Sequence, residues 1–175
     1  MKFQKYMVVG ILGLTMALGF SGCQSENQKN QDAYRKIGIN SMAEGDYDKA
    51  VKSFQKALDT SLGKIGAEEI DICYYKAAAQ FAKKDYDGAI ETYTSLIDYD
   101  KENANAYYLR GSVYLDTDKK DKAFKDYKNA VKYAGREYEI YEGIYENLTN
   151  KGETEEAKNY LKKALDIKPK DGADY

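Results

Sequence analysis

Apolar positions along the chain recur at helical spacing, and the same arrangement returns four times. Residues 44–58, EGDYDKAVKSFQKAL, put Ala50, Phe54, Ala57 and Leu58 on one helical face. Variants of the stretch begin again at residues 83, 117 and 151, at offsets of 39, 34 and 34. Upstream of the first copy, Tyr34, Ile37, Gly38 and Ser41 form a second stripe. Between the stripes, Gly45 suits the end of one helix, Asp46 is a candidate N-cap of the next, and Asp48 sits near the positive helix end. Each unit is therefore predicted to be a helix, a tight turn and a second helix.

The units align without internal gaps. The first-helix stripe recurs as Cys73, Ala77 and Gln80, as Tyr107, Gly111 and Tyr114, and as Tyr141, Ile144, Tyr145 and Leu148. The second-helix stripe recurs as Ala89, Tyr93 and Leu96, as Ala123, Tyr127 and Ala130, and as Ala157, Leu161 and Ala164. Small residues at fixed places let two helices approach closely, and aromatics at fixed places fill the space between units.

This pattern resembles the tetratricopeptide repeat (TPR), a helix-turn-helix unit of about 34 residues. The resemblance is carried by Tyr34, Cys73, Tyr107 and Tyr141, by the small residues Gly38, Ala77 and Gly111, and by Ala50, Ala89, Ala123 and Ala157. Phe54, Tyr93, Tyr127, Leu161 and the closing Pro169 complete it. It implies an all-α class, a right-handed superhelical solenoid of four units at about 31–64, 70–103, 104–137 and 138–171, with a short tail at 172–175. Lys76 and Arg110 stand where the family prefers an apolar residue, and Tyr145 replaces the small residue of the fourth unit. Five extra residues, 65–69, part the first two units and fit a longer loop or an extended helix. Val51, Ile90 and Phe124 are followed at the equivalent fourth position by Lys158, as a terminal unit with a polar outer face requires.

The start of the chain has a different character. A basic start with Lys2 and Lys5 and an apolar run at 8–20 describe a secretory signal, and the run is short for spanning a bilayer. Phe20, Ser21, Gly22 and Cys23 resemble a bacterial lipobox, although leucine is usual where Phe20 stands. The resemblance implies a signal peptide at 1–22, a diacylglycerol on the Cys23 sulfur, and a protein held on the extracytoplasmic face of a membrane. Residues 23–30 read as a polar tether, and its seven residues after Cys23 reach at most about 25 Å when extended. Lipidation of Cys23 leaves Cys73 alone, so no intramolecular disulfide is expected, and Cys73 reads as a small buried hydrophobe.

Composition narrows the chemistry. The chain has no histidine, so the commonest general base and metal ligand are missing. It carries no glycine-rich phosphate loop, nucleophile elbow or histidine-paired serine. Its net charge of −2 has no clustered basic face for nucleic acid. The three DYD tripeptides invite a calcium reading, but an EF-hand loop needs a central glycine and a distant glutamate, and helix capping accounts for them. The reading is a non-enzyme with no cofactor, no catalytic residues and no metal.

A stack of hairpins curves, with first helices lining the concave side. The family pattern then implies a groove of Arg35, Ile39 and Met42, of Tyr74, Tyr75, Ala78 and Phe81, of Tyr108, Ser112 and Leu115, and of Glu139, Glu142 and Glu146. The lysine, asparagine and arginine clamp that some relatives use for a chaperone's terminal carboxylate is largely missing, since its places hold Arg35, Ile39, Tyr75, Asn105 and Leu109. The expected function is a membrane-tethered scaffold that binds a protein or peptide in this groove, in assembly of a cell-envelope complex. The alternative is a small-ligand or glycan binder that uses the tyrosines.

Overall fold

The computed structural model describes residues 25–167. The expected signal at 1–22, Cys23, Pro169 and the tail at 172–175 lie outside the described residues. The described residues form eight α-helices and no strand: α1 (Glu26–Glu44), α2 (Tyr47–Asp59), α3 (Ala67–Ala82), α4 (Tyr86–Tyr99), α5 (Ala104–Asp116), α6 (Lys120–Tyr133), α7 (Tyr138–Asn150) and α8 (Thr154–Ile167). Among them no helix is long and apolar enough to cross a membrane.

One turn geometry is repeated four times. Just past the first helix of each hairpin one residue is left-handed: Gly45 at φ 78°, directly after α1, and Lys84 at 68°, Asp118 at 57° and Gly152 at 80°, each the second residue after its helix. The amide of the next residue then closes onto the carbonyl five residues back, Asp46 to Ser41 at 2.9 Å, Asp85 to Gln80 at 2.8 Å, Lys119 to Tyr114 at 2.8 Å and Glu153 to Leu148 at 2.9 Å. This is the Schellman closure, which satisfies helix-end carbonyls. Lysine and aspartate accept the strained conformation where glycine would be relaxed, so the tertiary context sets it. Asp46 caps α2 by accepting from the Lys49 amide at 3.0 Å, and Asp85 accepts from the Gly88 amide at 3.1 Å.

Two boundaries differ from expectation. The segment read as a polar tether is helical from Glu26, so the extended length does not apply to it. Ser25 accepts from the Gln28 amide at 3.3 Å, and Glu26 sits where the helix dipole favours an acid. Gln31 is buried and its amide donates to Glu69 Oε1 at 2.7 Å. These are polar contacts with α3, which hydrophobic periodicity does not reveal. The five-residue insertion is divided between both predicted outcomes. Residues 60–66 make a loop with Leu62 and Gly63 left-handed at φ 53° and 78°, and α3 starts at Ala67, three residues ahead of the register of α5.

The chain packs as two compact units, divided within α4 between Thr92 and Tyr93. The first has a core of Ala50, Phe54, Ala57, Ile72, Tyr75 and Ala79. The second is centred on Tyr127, Ile140, Ile144 and Leu148, with Ala123, Ala157 and Ala164 between helices. In both, a glycine on one helix faces an aromatic on the next. A Cβ on Gly38 would lie 2.5 Å from the Phe54 ring, and one on Gly111 would lie 2.8 Å from the Tyr127 ring. The fourth hairpin inverts the sizes, with Tyr145 on the first helix and Leu161 on the second. Phe124 packs against the second unit's core, whereas Lys158 at the equivalent place is exposed and pairs with Glu155 at 2.6 Å.

α1 meets α3 along a polar seam. Arg35 donates to Asp71 through Nε at 3.0 Å and through Nη2, and its guanidinium lies 5.3 Å from the Tyr75 ring centre. Beside it, Glu68 and Asp32 share a hydrogen bond. Burial, reinforced by Asp32 and by Glu69, raises the Glu68 carboxyl to about 7, with Arg35 acting in the opposite sense.

Two outcomes follow from these contacts. Phe54 is fully buried and cannot swing away, so Gly38→Ala should overpack the hairpin at a cost of about 1–3 kcal/mol and lower the melting temperature by several degrees. In a Phe54→Leu background the same change should cost much less. Equal losses in both backgrounds would show that the ring is not what excludes the methyl group.

The second outcome is a pH dependence. A carboxyl raised in the folded state binds its proton more tightly there than in the unfolded chain. Stability is then full below the unfolded value of 4.5 and falls as pH rises towards about 7. The chain lacks histidine, so little else titrates in the upper part of that window. Thermal melts should show lower stability at pH 8 than at pH 5.5, and Glu68→Gln should flatten that difference. An unchanged slope in the variant would place the effect elsewhere.

Candidate protein-binding face

In the first unit the expected groove residues lie on α1 and α3. Arg35 is engaged by Asp71 and Tyr75, while Ile39 and Met42 are half-buried against the core. Tyr75 is a correction to the expected groove. It is buried and stacks on Phe54 at 5.6 Å with 17° between ring planes, because it fills the space between α2 and α3. Burial and the nearby Asp71 both raise its phenol. Tyr74 and Phe81 are half-buried, and Phe81 meets Tyr86 edge-on at 5.7 Å. Cys73 is also half-buried rather than fully enclosed, and burial raises its thiol, so it is a poor nucleophile at neutral pH.

The second unit presents α5 beside α7. Tyr108 of α5 lies across α7 at Gly143, where a Cβ would fall 2.3 Å from the phenol oxygen. Burial pushes this phenol up to about 12, with Glu146 adding to the shift and Asn147 opposing it. Ser112 and Leu115 are corrections: both are buried, at 3 % and 2 % exposure. Ser112 faces Asn147, whose Nδ2 donates to its hydroxyl at 2.7 Å and reaches the Tyr127 hydroxyl at 3.4 Å. Leu115 belongs to the second unit's core. Ser112 is covered by the Asn147 side chain of α7, and Leu115 is buried as a member of the core.

Three residues that shape this face escape the repeat pattern. Gly143 makes room for Tyr108, and its signal is a glycine in mid-helix. Asn147 is an amide within the apolar stripe of Ile144 and Leu148, and its Oδ1 is buried without a hydrogen bond. Asp126 accepts from Arg110 at 2.7 and 2.9 Å, and Arg110 also donates to Thr94 at 2.9 Å. The Arg110 guanidinium sits 5.7 Å from the Tyr107 ring and 5.9 Å from that of Tyr114. An arginine at an expected apolar place is thus explained by a nearly buried carboxylate, which would be costly if left unpaired.

Glu139, Glu142 and Glu146 follow at intervals of three and four on α7, so they share one face. Glu139 is exposed, and Glu142 and Glu146 are half-buried. The second unit therefore presents a half-buried tyrosine, its hydroxyl packed on α7, with an acidic helix face beside it. Among the described residues no group of three or more acidic, cysteine or histidine side chains could hold a metal ion. The Asp46 and Asp85 carboxylates of the DYD stretches are occupied as helix caps.

Three tetratricopeptide-repeat families match the chain, at residues 35–93, at 77–118, and at 104–136 with 146–171. No curated protein sequence matches it. Among solved structures, MamA aligns at a TM-score of 0.61 and 26 % identity, over 79 % of this chain and 78 % of that one. A form of MamA from Desulfovibrio magneticus RS-1, spanning residue 41 to its end, aligns at 0.62 and 22 %, over 81 % and 76 % of the two chains. YrrB, described as a TPR protein with an unusual peptide-binding site, aligns at 0.58 and 18 %, over 81 % and 70 %. The helix-turn-helix units, their four-fold turn geometry and these matches agree on an all-α fold of the solenoid class, and the chain belongs to the tetratricopeptide repeat family.

Proposed function

We propose that this chain is a membrane-anchored, extracytoplasmic scaffold that captures a protein or peptide partner for a cell-envelope complex. The observation that carries the binding role is the α5–α7 face, with Tyr108 laid over Gly143 beside Glu142 and Glu146. A part-exposed aromatic ring is a common anchor of interface energy. The adjacent carboxylates suit a ligand with a basic end. The tetratricopeptide fold supports this reading, as does the peptide-binding site of YrrB, which shares that fold. The anchor rests on Cys23 and the apolar run that precedes it.

Binding through Glu139, Glu142 and Glu146 is testable by charge reversal. Changing all three to lysine should weaken capture of a basic peptide mainly at low salt, because exposed charges are screened over about 10 Å at 0.1 M. A photo-crosslinker at position 142 in intact cells should trap a partner that one on the exposed outer position Lys52 does not. Equal trapping at both positions would move the interface off this face.

The anchor has its own test. Mass spectrometry of the mature N-terminal peptide should find a diacylglyceryl group on Cys23. Cys23→Ala should stay at precursor mass, whereas a variant processed to the mature mass would rule out lipoprotein maturation.

A further inference from the structure

We infer that the loop at residues 60–66 is a membrane-contacting tip, its Leu62 and Ile65 side chains entering the lipid surface next to the anchor. The inference rests on the anchored reading above, since it takes Cys23 as the point held at the bilayer.

The loop is the place where the repeat period is broken, with five residues more than the later units carry. Some of its polar groups are bonded internally. Thr60 and Ser61 hydroxyls donate to Ala57 and Leu58 carbonyls at 2.6 and 2.7 Å, the Lys64 amide donates to Ser61 at 3.1 Å, and the Gly66 amide donates to Glu69 at 2.8 Å. Each group bonded in this way costs less to move out of water than an unbonded one. Its apolar side chains are turned outward: Leu62 is 76 % exposed and Ile65 is 59 % exposed. Leu62 also holds a left-handed φ of 53°, a conformation that favours glycine or asparagine. For folding alone leucine is therefore poor here on both counts, exposure and backbone. Backbone strain of this kind collects at functional sites.

Position supplies the partner. Ser25, Asn27 and Gln28 line the same cleft as Leu62, Lys64 and Ile65. Ser25 is two residues from Cys23, and two residues span at most about 7 Å. A lipid on Cys23 would thus hold this loop close to the headgroups. The exposed Lys64 lies between the two apolar residues and can reach a lipid phosphate while its stem stays among acyl chains. The neighbouring acids are already engaged, Glu69 by Gly66 and Gln31, and Glu68 by Asp32.

The chain contains no tryptophan, so one introduced indole reports alone. Leu62→Trp, and separately Tyr99→Trp at another exposed site, are made in the full chain. Each is reconstituted with vesicles of phosphatidylethanolamine and phosphatidylglycerol carrying brominated acyl chains. Either a lipid on Cys23 or the apolar run at 8–20 holds the chain on the vesicle, and co-sedimentation verifies it. Emission from the Leu62→Trp variant should shift to the blue and be quenched several-fold more than that from the Tyr99→Trp variant, and adding Ile65→Asn should reduce the quenching. Water-like emission from Leu62→Trp on sedimented vesicles overturns the inference. So does a blue shift that bromine leaves unquenched and that grows with protein concentration, which marks a second copy as the occupant. Quenched emission at position 62 in a chain whose Cys23 bears no lipid supports the loop contact while refuting the anchor.

Discussion

Each hairpin closes only as far as its first helix lets the second approach. At Gly38 and Gly111 the absent side chain is replaced by the face of an aromatic ring from the partner helix. That exchange of ring for Cβ sets the helix spacing. The spacing then decides where the second-helix alanines, Ala50 in the first unit and Ala123 in the second, can sit without solvent around them. A hairpin alone buries only the seam between its two helices, and its outer stripe needs a neighbour. The repeated turn belongs to the same constraint. The left-handed residue after the first helix aims the chain back along it, and it is kept even where lysine or aspartate must adopt it.

Within this apolar frame, polar contacts decide details that packing leaves open. In the second unit Arg110 and Asp126 form a nearly buried pair, and Asn147 reaches across to Ser112. Apolar side chains tolerate small slips along a helix, but a guanidinium paired with a carboxylate and stacked near two rings does not. In the first unit α1 is positioned by amide and ion-pair contacts rather than by a continuous greasy face, as its buried residues Gln31, Gly38 and Ser41 show.

The repeat, its register and the terminal lysine were legible in the sequence because period and residue size are one-dimensional signals. Ala50, Phe54 and their later equivalents lie where the stripe put them. The early start of α1 was not legible, because a hydrogen bond from Gln31 to Glu69 pairs two polar residues 38 positions apart. Of the groove residues that the family pattern implied, Tyr108 lies against α7, the helix that carries Glu139, Glu142 and Glu146. The pattern could not tell that Tyr75 would fill a gap beside Phe54, that Ser112 would meet Asn147 of α7, or that Leu115 would join the core. Those outcomes depend on how neighbouring helices cross. Gly143 was the local hint, since a glycine in mid-helix weakens the helix and calls for a reason in three dimensions.

The capped start of α1 bears on how long such a protein would persist at a surface. Proteases nick chains at exposed, untied segments. With helix from Glu26 onward, and Gln31 and Arg35 fastened to α3, the start of α1 offers a protease no untied segment. Cleavage within it would require unfolding its first turns and breaking the contacts with α3. Trimming from the amino end would therefore stall at α1 and leave the first unit whole.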